Sequence, residues 1–141
     1  MKRFLGIFVL ILLLVASCGG KKEVKKESEE AKIAKDAFTV VESLKNAYSS
    51  KDLSAVERNT TKEGFSLVVK DIRKFDIVEL QFKPVWVQIE PDRVIMNISW
   101  QGKWQKGAVS SDEKGMAVFI LKDKPMKVDQ ILRSNPFEYP D

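Results

Sequence analysis

Apolar and polar positions divide the chain into stretches with different periods. Phe4 to Ala16 is an unbroken apolar run, and residues 19–30 (GGKKEVKKESEE) have Val24 as their only bulky apolar side chain. From Ala31 to Ser49 the apolar positions Ile33, Ala37, Val40, Val41, Leu44 and Tyr48 recur at three and four, the period of a helix with one buried stripe. Ser50 or Asp52 supplies a side-chain oxygen to cap a short second helix through Leu53, Ala55 and Val56. Thr60 stands three residues before Glu63, a capping-box spacing, ahead of Phe65, Val68, Val69 and Ile72, and predicts a third helix.

At Asp76 the period changes to two. Val78, Leu80 and Phe82 are apolar at even positions, and after Lys83-Pro84 the pattern resumes at odd positions as Val85, Val87 and Ile89. One inserted residue switches the parity, and a bulge explains both the switch and a proline that cannot donate to a ladder. After a turn at Glu90-Pro91-Asp92-Arg93, a second strand carries Val94, Met96, Ile98, Trp100 and Trp104 on one face, and Asn97, Ser99, Gln101, Lys103 and Gln105 on the other. Gly107 to Gly115 (GAVSSDEKG) reads as a polar loop and Gly115 to Leu121 as a central strand, apolar on both faces. Lys122 to Pro125 reads as a turn and Met126 to Leu132 as a last strand. Asn135-Pro136-Phe137 and Tyr139-Pro140 then predict an extended exit.

Three helices followed by a bent antiparallel sheet of about four strands define an α+β domain with its helices on one face. The expected division is a signal at 1–17, a modified cysteine and charged linker at 18–30, the folded domain at 31–137 and an extended tail at 138–141. The linker cannot bury enough apolar surface to fold alone.

Lys2 and Arg3, the apolar run and the small-residue exit Val15-Ala16-Ser17-Cys18 have the layout of an export signal. Thirteen apolar residues are too few for a bilayer core that takes about twenty as helix. Val-Ala-Ser-Cys also resembles a bacterial lipobox. That resemblance implies a diacylglyceryl group on the Cys18 thiol, cleavage between Ser17 and Cys18, and a lipid anchor in the cell envelope. Gly19 follows the cysteine where some enterobacterial lipoproteins carry an inner-membrane retention aspartate, so the resemblance favours the periplasmic face of the outer membrane.

The formal charge of +4 includes Lys2 and Arg3, whose loss with the signal leaves +2. No basic field remains to argue for nucleic acid. The chain has no histidine, which removes the usual general base at neutral pH and the commonest metal ligand. Its one cysteine is the expected lipidation site, so the domain itself has neither a disulfide nor a thiolate for zinc or nucleophilic chemistry. No cofactor or metal is expected.

The long amphipathic helix, the two short ones, the bulged strand and the ending AVFILKDKPMKVDQILRSNPF resemble the nuclear transport factor two-like superfamily, an α+β cone also called cystatin-like or SnoaL-like. The likeness covers about residues 31–137 and implies a pocket at the open end of the cone. Members include ketosteroid isomerases, SnoaL-like cyclases and noncatalytic binding domains. Family isomerases use an aspartate base with a tyrosine and a protonated acid as oxyanion donors. Tyr48, Asp76 and Asp129 are this chain's counterparts by residue type, and none stands in a family motif.

Trp100 and Trp104 share the apolar face of the second strand. With Tyr48, Phe65 and Phe82 they either line the cone mouth or pack as ordinary core. Trp86 faces away with Gln88, and beside Ile95 it would form a contact surface on the outer sheet face for a partner or a second copy. The reading that follows is a membrane-tethered, noncatalytic binding domain for an apolar small molecule or an envelope protein. A small-molecule isomerase or cyclase and a passive structural or assembly lipoprotein are the alternatives.

The lipobox makes a direct prediction. The wild-type chain should take up labelled fatty acid, and Cys18→Ser should neither take it up nor be cut at that site. An unlabelled wild type, or a Cys18→Ser chain still membrane-bound and processed at the same bond, would contradict the anchor.

Overall fold

The computed structural model describes residue 20 and residues 25–141. The signal, Ser17 and Cys18 lie outside them, as does part of the linker. Helix α1 spans Glu29–Ser49, α2 Leu53–Asn59 and α3 Lys62–Val69. Strands β1 (Ile77–Ile89), β2 (Val94–Lys106), β3 (Val109–Lys122) and β4 (Lys127–Arg133) follow and form one antiparallel sheet in the order β1-β2-β3-β4.

Helix α1 begins two residues earlier than its apolar period suggests. The Ser28 hydroxyl accepts from the Ala31 N–H at 3.1 Å, and Glu29 and Glu30 place negative charge in the first turn, where the helix dipole favours it. Its stripe Ala37, Val41, Leu44, Ala47 and Tyr48 is buried against the sheet and the short helices. Of the two candidate caps for α2, Asp52 does the work, accepting from the Ala55 N–H at 3.0 Å. Ser50 donates back to the Asn46 carbonyl at the end of α1.

Thr60 is not the cap of α3. Its hydroxyl donates to the Val56 carbonyl at the end of α2, and the neighbouring Thr61 caps α3 by accepting from the Gly64 N–H. Ile72 falls beyond the helix, which stops at Val69. The one-residue difference follows from docking. Thr60 bridges to Val128, the Thr61 N–H donates to the Val128 carbonyl at 2.9 Å, and the Thr61 hydroxyl donates to Asp129 at 2.8 Å. Gly64 lets α3 come this close, since a Cβ there would stand 2.1 Å from the Val128 oxygen. Lys122 completes the joint, 2.9 Å from the other Asp129 oxygen. The Lys122 contact, opposed by burial and aided by Thr61, holds the Asp129 carboxyl below the ordinary aspartate range.

The bulge falls where the parity switch puts it, between Pro84 and Trp86. Pro84 pairs with Ile98 and Trp86 with Asn97, so Val85 is the inserted residue and is exposed rather than on the inner face. The region predicted as a polar loop is strand. Lys106 pairs with Val109 across Gly107-Ala108, and Ser110 to Lys114 pair along β2. On the β3 side of this hairpin both faces are largely wet, so alternation of apolar and polar positions is missing there although the ladder continues, while the paired segment of β2 buries Gly102 and Trp104.

The C-terminal residues do not exit in extended form. Ser134 to Tyr139 turn back over the end of the sheet, and Phe137 is buried completely. The Asn135 Oδ1 accepts from the Phe137 N–H, its amide donates to the Leu67 carbonyl, and the Tyr139 N–H donates to Asp71. Among the described residues, all the core contacts named here lie between residues 28 and 139.

Candidate functional site

Two places compete as a site: the aromatic interior of the cone and a cleft at its other end. Inside the cone, Tyr48 of α1 lies against Phe75 and Phe137, with ring centroids 5.2 and 4.9 Å apart, and donates its hydroxyl proton to the Phe137 carbonyl at 2.9 Å. Phe82 and Phe119 each pack on Phe137, and Trp100 and Trp104 meet edge to face at 6.2 Å. Trp104 folds back over Gly102, where a Cβ would come within 2.5 Å of its ring. The Trp100 indole donates to the Ser134 carbonyl at 2.9 Å.

The interior is therefore filled. Tyr48 and Trp104 are 0% exposed and Trp100 5%, where a pocket reading requires a partly solvated Trp104 near a mouth. Phe137, predicted to leave the fold, occupies the space instead. Phe82 belongs to this cluster, whereas Phe65 lines a separate depression of about 590 Å³ with Thr61, Asp123 and Lys127. The Trp104 Nε1–H has no hydrogen-bond partner, although it stands near enough to the Tyr48 oxygen to favour the phenolate. Burial outweighs that effect and pushes the Tyr48 phenol well above its ordinary value, so it remains a neutral donor.

The three acid–base counterparts are not brought together. Asp76, at the start of β1, accepts from the Gly107 N–H at 2.7 Å and fixes the β2–β3 turn. Asp129 is on β4, at the opposite edge of the sheet, held by Thr61 and Lys122. Tyr48 is sealed in the core. Asp71 is buried as well. Desolvation alone would raise its carboxyl, but Lys74 at 2.9 Å and the Tyr139 N–H bring it below the ordinary range. Among the described residues no group of three or more metal-binding side chains occurs.

Open space lies at the end of the sheet where the β1–β2 and β3–β4 turns face the first half of α1. The cleft there has a volume of about 940 Å³, within the range of small-molecule sites. Ile33 and Val40 of α1, Ile89 and Val94 beside the first turn, and Leu121 and Met126 beside the second supply its apolar surface. Ile33, Val40, Ile89 and Met126 are only partly buried. Its rim carries Asp36, Glu90, Asp92, Arg93, Lys122, Asp123 and Lys124. Sequence reading placed Ile33 and Val40 on the buried stripe of α1 and missed the cleft. One signal was available: in an antiparallel four-stranded sheet the first and third turns must fall at the same end.

The outer sheet face carries exposed apolar side chains. Trp86 is 45% exposed and Leu132 47%, and they share a cross-sheet row with Asn97 and Val118, next to the row of Ile95 and Ile120. Asn97 is buried within it and its Oδ1 has no partner. A depression of about 650 Å³ farther along the arm is lined mainly by charged and amide side chains, including Glu79, Gln101, Lys103 and Asp112.

Solved structures resemble this architecture. A nuclear transport factor 2-like superfamily protein from Salmonella enterica serovar Typhimurium LT2 matches with a TM-score of 0.58 and 9% identity, covering 77% of this chain and 96% of its own. An NTF-2-like protein of unknown function from Shewanella oneidensis MR-1 matches at 0.51 and 12%, over 68% and 93%. A ketosteroid isomerase-like protein from Erwinia carotovora atroseptica SCRI1043 gives 0.53 and 12%, over 67% and 88%. The fold is thus the nuclear transport factor 2-like α+β cone. No family model matches the chain, and no curated relative does either.

If the aromatic interior is core, Trp104→Ala should lower stability by ~3–5 kcal/mol, the range for deleting a buried aromatic. Denaturant unfolding of this variant beside wild type measures it. A loss below ~1 kcal/mol would mean that Trp104 has little burial to lose and lines an open pocket.

Proposed function

We propose that the chain is a membrane-tethered, noncatalytic binding domain of the bacterial cell envelope, with the cleft at the turn end of the cone as the site for an apolar small molecule. The cleft itself carries this reading: it combines the volume of a small molecule with four apolar side chains left partly uncovered by the fold. A lipid anchor at Cys18 would place it beside a membrane, because the linker joins α1 at Glu29 and Ile33 and Asp36 lie within the next two turns. Two or three acyl chains make a stable anchor where one binds only marginally. By the lipobox resemblance the anchor belongs on the periplasmic face of the outer membrane.

The isomerase alternative receives no support from the placement of Tyr48, Asp76 and Asp129. The outer face favours a second reading, an envelope protein or a second copy docking on Trp86 and Ile95, and its observation is the exposed Trp86 at one edge of the sheet, in the same cross-sheet row as the exposed Leu132 at the other.

Titration of the domain with the neutral dye N-phenyl-1-naphthylamine should give saturable fluorescence enhancement. Val40→Trp, which fills the cleft, and Ile33→Asp, which places a charge in it, should each weaken binding by about tenfold or more, on the order of 1.4 kcal/mol. Melting curves establish that both variants fold. No saturable binding by wild type, or binding unchanged in both folded variants, would remove the cleft as the site. Dye binding lost in Trp86→Asp and retained in the cleft variants would move it to the outer face.

A further inference from the structure

We infer that the cleft selects an amphiphile whose apolar body carries a cationic head, an alkyl chain ending in an ammonium group. This rests on the cleft being the binding site and adds the chemistry of what it holds.

Several rim charges are already committed to partners. Arg93 is 2.5 Å from Glu90 through its Nε, and Glu90 also accepts from the Gln88 amide at 2.8 Å. Lys122 reaches out of the cleft to Asp129. Three carboxylates remain: Asp36 from α1, Asp92 from the β1–β2 turn and Asp123 from the β3–β4 turn. Among the described residues none of them forms an ion pair or accepts a side-chain hydrogen bond, and Lys124 is the one cation of the rim in the same position.

Each of the three elements that build the cleft therefore contributes one uncommitted carboxylate around an apolar floor. All three carboxylates are solvent-exposed at the rim, so each would attract a cationic head with the modest strength of a surface ion pair. An anionic head would meet one uncommitted lysine and three carboxylates, so like-charge repulsion acts against it as well as attraction for a cation. Among the described residues no aromatic ring lines the cleft, so a cationic head would be recognised by carboxylates rather than by the faces of an aromatic cage.

Competition at low salt tests the inference. N-phenyl-1-naphthylamine bound to the domain is displaced with decyltrimethylammonium or with decanoate, both below their micellar concentrations. The cation should displace the dye at about tenfold lower concentration, the effect expected of a few exposed ion pairs. Raising salt to about 0.5 M, where screening acts over a few ångströms, should bring the two concentrations together. The triple variant Asp36→Asn, Asp92→Asn, Asp123→Asn should keep its dye affinity and lose the preference. Equal displacement by the two amphiphiles, or earlier displacement by decanoate, overturns the inference and leaves the cleft reading standing. A preference that survives in the folded triple variant also overturns it. Should that variant not fold, the salt series in wild type decides, since a preference unmoved by salt is not carried by these carboxylates. Failure of the dye to bind at all removes the cleft reading and this inference with it. Binding to vesicles of an ammonium-headed lipid, lost in the triple variant, would assign the ligand to a lipid head, and displacement without vesicle binding to a free amphiphile.

Discussion

The fold depends on closing one end of the cone with the chain's own C-terminus. Phe137 enters the interior between Tyr48, Phe82 and Phe119, and its carbonyl accepts the Tyr48 hydroxyl proton across 89 residues of sequence. Leaving that buried hydroxyl without an acceptor would cost about 1–3 kcal/mol. The same turn brings the Ser134 carbonyl to the Trp100 indole and the Tyr139 N–H to Asp71. Three buried donors or acceptors of the interior are thus satisfied by backbone from six consecutive residues. A tail that left the sheet in extended form would strand the Tyr48 hydroxyl and the Trp100 indole and leave Asp71 with Lys74 alone.

Once that end is closed, the rest of the geometry follows. The two tryptophans of β2 can meet edge to face in the interior because Gly102 stands between them in sequence and leaves room for the Trp104 ring. The helices are held from the other edge of the sheet, where Gly64 and Thr61 meet Val128 and Asp129 joins Thr61 to Lys122. Between these two anchorages, α1 buries Ala37 and Val41 completely, while Ile33 and Val40 pack on the margin of the core and stay partly uncovered toward the two turns. The cleft is a consequence of where the core ends.

Most of the architecture was legible because buried faces impose a period. The helical stripe from Ala37 to Tyr48, the alternation in β2 and the parity switch at Pro84 each reflect a face that must meet the core. What could not be read this way is structure without a buried face, or burial without a period. Ser110 to Lys114 hold strand geometry by backbone pairing in solvent and carry no alternation. Phe137 is buried as a single residue in a turn, and the prolines on either side of it suggested an exit. Thr60 and Thr61 offer the same hydroxyl, and the choice between them is made by Val128, which lies far away in sequence. The candidate pocket residues Tyr48, Phe82, Trp100 and Trp104 were recognisable as one inner cluster, but whether they enclose space depends on Phe137. Phe65 stands outside that cluster. The cleft escaped notice because its apolar residues look like ordinary core on α1 and its charges like ordinary turns.

A closed cone with an open turn end separates this chain's interior from its surface chemistry, and tryptophan fluorescence reads the separation directly. In Trp86→Phe the remaining indoles are those of Trp100 and Trp104, both inside. Their emission should be blue-shifted, should resist quenching by acrylamide, and should not change when a non-absorbing alkyl ligand is added to the domain in the absence of dye. Red-shifted emission that acrylamide quenches readily would show an open cone mouth and contradict the account.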